Sequence, residues 1–242
     1  MLIYKLFKKY FQKQSFNPDI FGLFINPFFF ARKGLYINIK KYSGEIKGHV
    51  LGVGCGQKPY KNLFNVESYI GMDIENEGHD HSNEDIDVYY DTKHFPFSEK
   101  TFDSVITNQV FEHVFVPDVF LQEVYRVLKP KGKLLLTVPF LWDEHEQPND
   151  FARYSSFGIK YQLEKNGFLI VSQSKSVNDI RVIFQMLNMY IFKKLRSKNK
   201  YVNVLISVLF ISWFNILGQL LSFLLPKNND LYLDNIILAE KI

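Results

Sequence analysis

His49-Val50-Leu51-Gly52-Val53-Gly54-Cys55-Gly56 is the stretch on which the fold turns. Its first three residues make a short apolar strand, and glycines then recur at alternate positions before a turn at Lys58-Pro59. A backbone without Cβ atoms can bend sharply and approach a ligand closely, and the helix expected to follow presents free amides to it. Glycine-rich turns occur in many folds, so the meaning of this one depends on what comes after it.

Working outward, residues 68–74 read as a second strand ended by Asp73, 21 residues beyond Gly52, where a carboxylate can accept both hydroxyl hydrogens of a ribose. A third strand at 87–91 also ends in an acid, Asp91, and a fourth spans 102–107. Residues 117–128 predict a helix, with Val119, Phe120, Val124 and Val127 at helical spacing, stopped by the turn Lys129-Pro130-Lys131-Gly132. The continuous apolar run 133–139 suits the middle of a parallel sheet. A helix at 155–166, stopped by Gly167, and a strand at 168–172 follow. The expected fold is α/β: a Rossmann-like, seven-stranded, mostly parallel sheet with helices on both faces. An N-terminal helical extension and a helical insertion before the last strand, at 231–238, are added to it. A nucleoside ligand fits this pattern, and Asp73 alone does not separate S-adenosylmethionine from a dinucleotide. A nicotinamide-dependent oxidoreductase is therefore one rival reading, since a glycine loop and an acid on the second strand suit it too, but its G-x-G-x-x-G spacing is not met, because position 57 is Gln.

From His49 to about Phe168 the chain resembles the class I S-adenosylmethionine (SAM)-dependent methyltransferases of the small-molecule type. The matching pieces come in order. Residues 50–56 resemble the family's first motif, Tyr69-Ile70-Gly71-Met72-Asp73 its second, and residues 91–97 its adenine segment. Phe102-Asp103-Ser104-Val105 resembles its fourth strand, and residues 123–132 the helix and turn before the fifth. The resemblance implies SAM as cofactor, with Gly54 and Gly56 under its methionine part, Asp73 on the ribose and Asp91 on the adenine amine. Gly52, Cys55, Ile74, Thr92, Asn108 and Gln109 complete the expected cofactor set. Two positions depart from the pattern: Gly52 stands where the family usually has an acid, and Lys58 where it often has a third glycine. The first departure motivates a rival reading, a non-catalytic protein of this fold that binds a ligand or tethers a partner at a membrane.

Thr107–Val114 lies just past the fourth strand, at the carboxyl edge where open α/β sheets bind ligands. Glu112 and His113 are therefore candidates for the reaction centre, although Glu112 reads equally well as a group that bonds loop amides. The segment after Pro139 is dense in ionisable and aromatic groups and resembles the substrate loop of a bacterial branch of the family. Within it Trp142, Asp150, Arg153 and Tyr154 are substrate candidates. If the acceptor is a hydroxyl, His113 or His145 has the pKa range for a base, and Glu112 or Glu146 could orient it. No metal site is expected, since these residues lack a recognisable ligand spacing.

The remaining features concern location. The chain has 242 residues, is 47% hydrophobic with 24 Phe and 14 Tyr, and carries a net charge of only +4, too little for a general nucleic-acid binder. Nine Lys or Arg against two acids precede His49, Lys5, Lys8 and Lys9 among them. The single cysteine excludes an internal disulfide and suits a reducing cytoplasm. Residues 179–194 read as an apolar helix, Lys193–Lys200 are polybasic, and 201–226 carry no charge. In that last run Asn203, Ser207, Asn215, Gln219 and Ser222 fall near one helical face. A transmembrane span is not expected, because it would leave the final strand on the wrong side of the bilayer. The organisation predicted is a basic, aromatic extension at 1–46, a SAM-binding domain at 47–178 plus 229–242, and an apolar helical insertion at 179–228. That insertion would cap the pocket, form a homodimer, or rest on the inner face of a membrane. The expected acceptor is a small molecule or a lipid-linked compound such as a saccharide carrier.

Overall fold

The computed structural model describes residues 10–75 and 85–242, so Lys5, Lys8 and Lys9 lie outside the described residues. The chain forms two compact units. Among the described residues, one comprises those up to Ile37 with Lys175–Leu233, the other those from Asn38 to Ser174 with Asp234–Ile242.

The second unit is built on one seven-stranded sheet: β1 (His49–Val53), β2 (Ser68–Ile74), β3 (Val88–Tyr90), β4 (Phe102–Asn108), β5 (Leu128–Pro139), β6 (Phe168–Ser176) and β7 (Asp234–Lys241), in the order β3-β2-β1-β4-β5-β7-β6. Strands β1 to β5 pair in parallel, while β7 runs antiparallel to β5. The order reverses between β1 and β4, which sets the loops after those two strands side by side at the carboxyl edge. Leu134, Leu135, Leu136 and Val138 of β5 are all fully buried, as expected of a central strand covered on both faces.

Helix α1 (Phe29–Tyr42) precedes the sheet, α2 (Pro117–Val127) links β4 to β5, and α3 (Ser156–Lys165) precedes β6. Pro117 opens α2 at its first turn, where a missing N–H costs nothing. Ser155 caps α3 by accepting a hydrogen bond from the Gly158 amide, and Gly167 ends that stretch at φ 85°. Phe120, Leu121, Val124 and Val127 of α2 pack with Ile159, Leu163 and Phe168 in the main core.

Five local expectations change. The glycine loop leads into a short 3₁₀ turn, Lys61–Leu63, rather than a helix, because Lys58 and Tyr69 hold the loop against β2. Val119 is exposed and Leu121 takes the buried place, because the buried stripe of α2 is rotated by one position. Residues 129–132 do not separate helix from strand: β5 already begins at Leu128, and the register shift between Phe102 and Ser104 absorbs them as a bulge with Lys131 at φ 62°. Strand β6 runs on to Ser176, and β7 begins at Asp234 rather than at 231.

In the first unit, α4 (Arg181–Leu195) and α5 (Lys200–Leu224) pack with the short helical turn Gly22–Ile25. Helix α5 contains a π-helical turn at Ser207–Ile211. Both helices bury polar side chains: Gln185, Asn188, Ser207 and Asn215 are each 1% exposed or less. Asn215 and Gln185 satisfy the backbone around Asn26-Pro27, and Asn188 orients Asn215. Asn215 Nδ2 donates to the Leu23 and Asn26 carbonyls at 2.9 and 3.2 Å, Asn188 Nδ2 to Asn215 Oδ1 at 2.8 Å, and Gln185 Nε2 to the Pro27 carbonyl at 2.9 Å. The opposite face of α5 exposes Leu205, Leu209, Trp213, Leu220, Phe223 and Leu224, Trp213 at 70% and Phe223 at 76%. Its amphipathicity is therefore inverted, polar inside and apolar outside.

Candidate active site

The loop after β1 is shaped by two glycines in the left-handed region, Gly54 at φ 63° and Gly56 at φ 45°. A Cβ on Gly54 would stand 2.2 Å from Val110 Cγ2, whereas one on Gly56 would meet nothing within 4 Å, so open space lies over Gly56. Asp73, at the end of β2, accepts the Gly56 amide at 2.8 Å through Oδ2 and the Ile74 amide at 2.9 Å through Oδ1. A carboxylate has about four acceptor positions, and these two amides take one on each oxygen. Cys55 donates its amide to Met72 and faces inward; burial pushes its thiol up to about 12.

The two departures from the glycine pattern are explained by their neighbours. A side chain at Gly52 would meet the Tyr69 phenol oxygen at 2.3 Å, so Tyr69 occupies the volume that an acid would need. Lys58 adopts φ 47° and crosses the face of Gly71 to bond Asp87 at 2.7 Å, with Asp85 at 3.3 Å. The Lys58 side chain is 2% exposed, and the Gly71 amide also donates to Asp87. The loop is thus held by an internal ion pair and a tyrosine.

Asp91 is exposed after β3; its Oδ1 accepts the Lys93 and His94 amides, and Thr92 turns the chain at φ 71°. That segment is fastened to α2 by Glu123, which accepts the Phe95 amide at 2.7 Å, and by Arg126, which bonds Glu123 and the Phe95 and Phe97 carbonyls. Past β4, Asn108 and Gln109 both bond Thr137 of β5, Gln109 at φ 56°. These residues, the glycine loop and Asp73 line one end of the sheet, an arrangement that fits a nucleoside cofactor with a charged tail.

Beside them sits a second cluster. Glu112 lies in a 3₁₀ turn, Phe111–His113, is fully buried, and has neither carboxylate oxygen hydrogen-bonded to a described residue. Burial raises its pKa to about 8. His113 Nε2 is 3.8 Å and His145 Nε2 3.9 Å from Glu112 Oε1, and the imidazole centroids are 4.7 Å apart. Burial, and then the neighbouring His113, lower the pKa of His145. His113 Nδ1 bonds the Asn149 carbonyl at 2.7 Å, and His145 Nδ1 lies 3.2 Å from Asp150 Oδ2, so both rings turn Nε2 toward Glu112.

The loop that brings His145 there is closed by Arg153. Its guanidinium bonds both Asp150 oxygens at 2.6 Å and the Trp142, Asp143 and Ala152 carbonyls. The Glu112 carbonyl accepts the Phe151 and Ala152 amides. Tyr154 stacks at 5.1 Å on Phe111, and its carbonyl accepts Asn235 Nδ2 of β7. Glu146 stands at the rim, exposed, 3.8 Å from His113 Nε2. Trp142 and Asp150 therefore shape the loop through its bonds to Arg153. Sequence reading marked Lys58 as a departure and placed Tyr69 in the second motif without their roles in holding the loop, and it overlooked Asn235; a lysine in a glycine position with Gly71 on the next strand was the available signal.

A family model described as a methyltransferase domain matches residues 51–136. An uncharacterised protein of Methanocaldococcus jannaschii is 32% identical over 176 residues, covering 71% of this chain and 77% of that protein. A fatty-acid O-methyltransferase of Mycolicibacterium smegmatis is 35% identical over 105 residues, 38% of each chain. Among solved structures, Haemonchus contortus phosphoethanolamine N-methyltransferase 2 in complex with SAM has a TM-score of 0.56 at 19% identity. That likeness covers 91% of this chain and 55% of the other, and it speaks for the fold. The chain thus spans about three quarters of the archaeal relative but little more than a third of the fatty-acid enzyme.

Proposed function

The chain belongs to the class I SAM-dependent methyltransferase family, and from that premise we propose that it methylates a lipid-linked acceptor at the inner face of a membrane. SAM, when bound, supplies an electrophilic methyl group, and its transfer is an in-line displacement in which alignment and exclusion of water provide most of the acceleration. The glycine loop and Asp73 would hold the cofactor, with Asp91 and Gln109 flanking it. The acceptor's reacting atom would be received at Glu112, His113 and His145, and a hydroxyl acceptor would lose its proton there. Glu146, Trp142 and Tyr154 would flank its approach.

The observation that carries the lipid reading is the inverted amphipathicity of α5. Burying Asn215 and Ser207 while exposing Trp213, Leu220 and Phe223 is unfavourable in water and suits an apolar medium. The helix is 25 residues long, enough by length and composition to cross a bilayer. Strands β6 and β7, which flank the insertion, are neighbours in one sheet, so the chain between them crosses an even number of times. Only α5 among the described helices reaches the required length, which favours a helix lying on the membrane surface over one that crosses it. Lys193, Lys194, Arg196, Lys198 and Lys200 beside it match an anionic leaflet. The fatty-acid methyltransferase relative acts, by its name, on a lipophilic acceptor.

Two measurements test this. Isothermal calorimetry is expected to detect SAM binding. Asp73→Ala should weaken that binding by about 1–3 kcal/mol, roughly 5- to 150-fold, through loss of ribose hydrogen bonds. Unchanged affinity would remove Asp73 from the site, and no binding by the unmodified chain would leave only the non-catalytic reading. In flotation, the protein should rise with vesicles containing anionic lipid at low salt and fall away as salt screens the basic run. Trp213→Ser with Phe223→Ser should stay in the soluble fraction. A wild-type chain that remains soluble at low salt but dimerises would assign the apolar face to a second copy.

A further inference from the structure

We propose that Glu112, His113 and His145 form a binding site for one divalent transition-metal ion. Three groups of metal-ligating type converge from two separate loops, and their ligand atoms all lie within 4.8 Å of one another. With Glu112 Oε1 at 3.8 and 3.9 Å from the two Nε2 atoms, an equidistant point lies within about 2.5 Å of all three. Zinc–nitrogen and zinc–oxygen bonds are ~2.0–2.2 Å, so side-chain shifts of a few tenths of an ångström close the site.

The second observation is the unmet demand of Glu112. Both its oxygens are buried without a hydrogen bond among the described residues, and the imidazole contacts are too long to supply one. Protonating the carboxyl does not help, since its O–H would lack an acceptor too. A single metal ion satisfies the carboxylate and both neutral rings at once.

The surroundings are those of a metal site. Each histidine presents Nε2 inward while its Nδ1 is engaged, His113 with the Asn149 carbonyl and His145 with the Asp150 carboxylate and the Asp143 carbonyl. Such outer bonds fix the tautomer and raise the basicity of the ligating nitrogen. Two imidazoles with one carboxylate favour zinc, iron(II), cobalt(II) or manganese(II) over calcium or magnesium, which prefer all-oxygen sites. Glu112 closes the inner side at 0% exposure, while His113 and His145 are 16% and 28% exposed, so solvent reaches the site from the imidazole side. An acceptor oxygen could take that open position; this use, unlike the site itself, rests on the methyltransferase reading above.

The test is equilibrium dialysis of the full, tag-free chain against zinc or cobalt(II), with elemental analysis and the visible absorption of bound cobalt as readouts. One equivalent retained by the wild type, and lost in both Glu112→Gln and His145→Ala, is the expected result. Glu112→Gln is isosteric and His145 is part-exposed, so at least one variant should stay folded, as thermal melting will show. No retention by the wild type, or equal retention by the variants, overturns the proposal. SAM calorimetry on the same samples keeps the two readings apart. A chain that holds metal but not SAM defeats the methyltransferase reading alone, and one that holds SAM but not metal defeats only this site.

Discussion

Arg153→Ala is expected to cost about 3–5 kcal/mol of stability in urea unfolding, the range seen when one partner of a buried ion pair is removed. The Asp150 side chain is 2% exposed and both its oxygens bond the guanidinium at 2.6 Å. Truncating the arginine would leave that charge buried and unpaired, and three loop carbonyls would lose a donor. The double variant Asp150→Ala with Arg153→Ala should recover part of the loss, because most of the cost comes from the orphaned carboxylate. Burial alone would raise the Asp150 carboxyl, but the Arg153 hydrogen bonds outweigh it and hold the pKa at about 2. A carboxylate with a lowered folded pKa adds stability above its unfolded value near 4, and that contribution disappears as pH falls through 2. The wild type should therefore lose its advantage over the double variant between those values. SAM affinity should change little, since neither Asp73 nor the glycine loop touches Arg153. A single variant as stable as the wild type would mean that the loop is held by other contacts.

That loop marks where sequence reading stops. Strand and helix order could be read from alternation because each strand buries a short apolar run and each acid or glycine punctuates an edge, as with Asp73 and Gly167. The bulge at 129–132 could not, since Lys-Pro-Lys-Gly has the chemistry of a turn and only pairing with β4 makes it part of a strand. The polar residues of α5 were visible at helical spacing. Which face they took was not, because it depends on the broken backbone at Asn26-Pro27, far away in sequence, whose carbonyls Asn215 and Gln185 satisfy. Likewise, Glu112 and His113 sit 32 residues or more before His145, with no motif joining them. Their meeting depends on the Asp150–Arg153 clamp and on the Glu112 carbonyl taking two amides from the returning loop. The loop departures were legible as departures, but their compensation by Tyr69 and Lys58 needed the register of β1 on β2.

The glycine loop itself yields the other large effect. Gly54→Ala should lower stability by about 2–5 kcal/mol and weaken SAM binding at least tenfold, because two penalties add. An alanine at φ 63° pays about 1–2 kcal/mol for the left-handed backbone. Its Cβ would also stand 2.2, 3.0 and 3.2 Å from Val110 Cγ2, Cγ1 and Cβ, so the whole valine must move rather than a flexible end, at about 1–3 kcal/mol. Val110 leads directly into the turn that carries Glu112 and His113, so the displacement reaches both halves of the site. Gly56→Ala separates the two penalties: its φ of 45° is also left-handed, but its Cβ meets nothing, leaving only the backbone cost. Adding Val110→Ala to Gly54→Ala should relieve the clash and bring the pair close to Gly56→Ala in stability, when all three are compared by thermal and urea unfolding. If Gly54→Ala and Gly56→Ala prove equally mild, the close approach of β1 to the loop after β4 is not what requires glycine at position 54, and the cofactor's own volume becomes the reason for it.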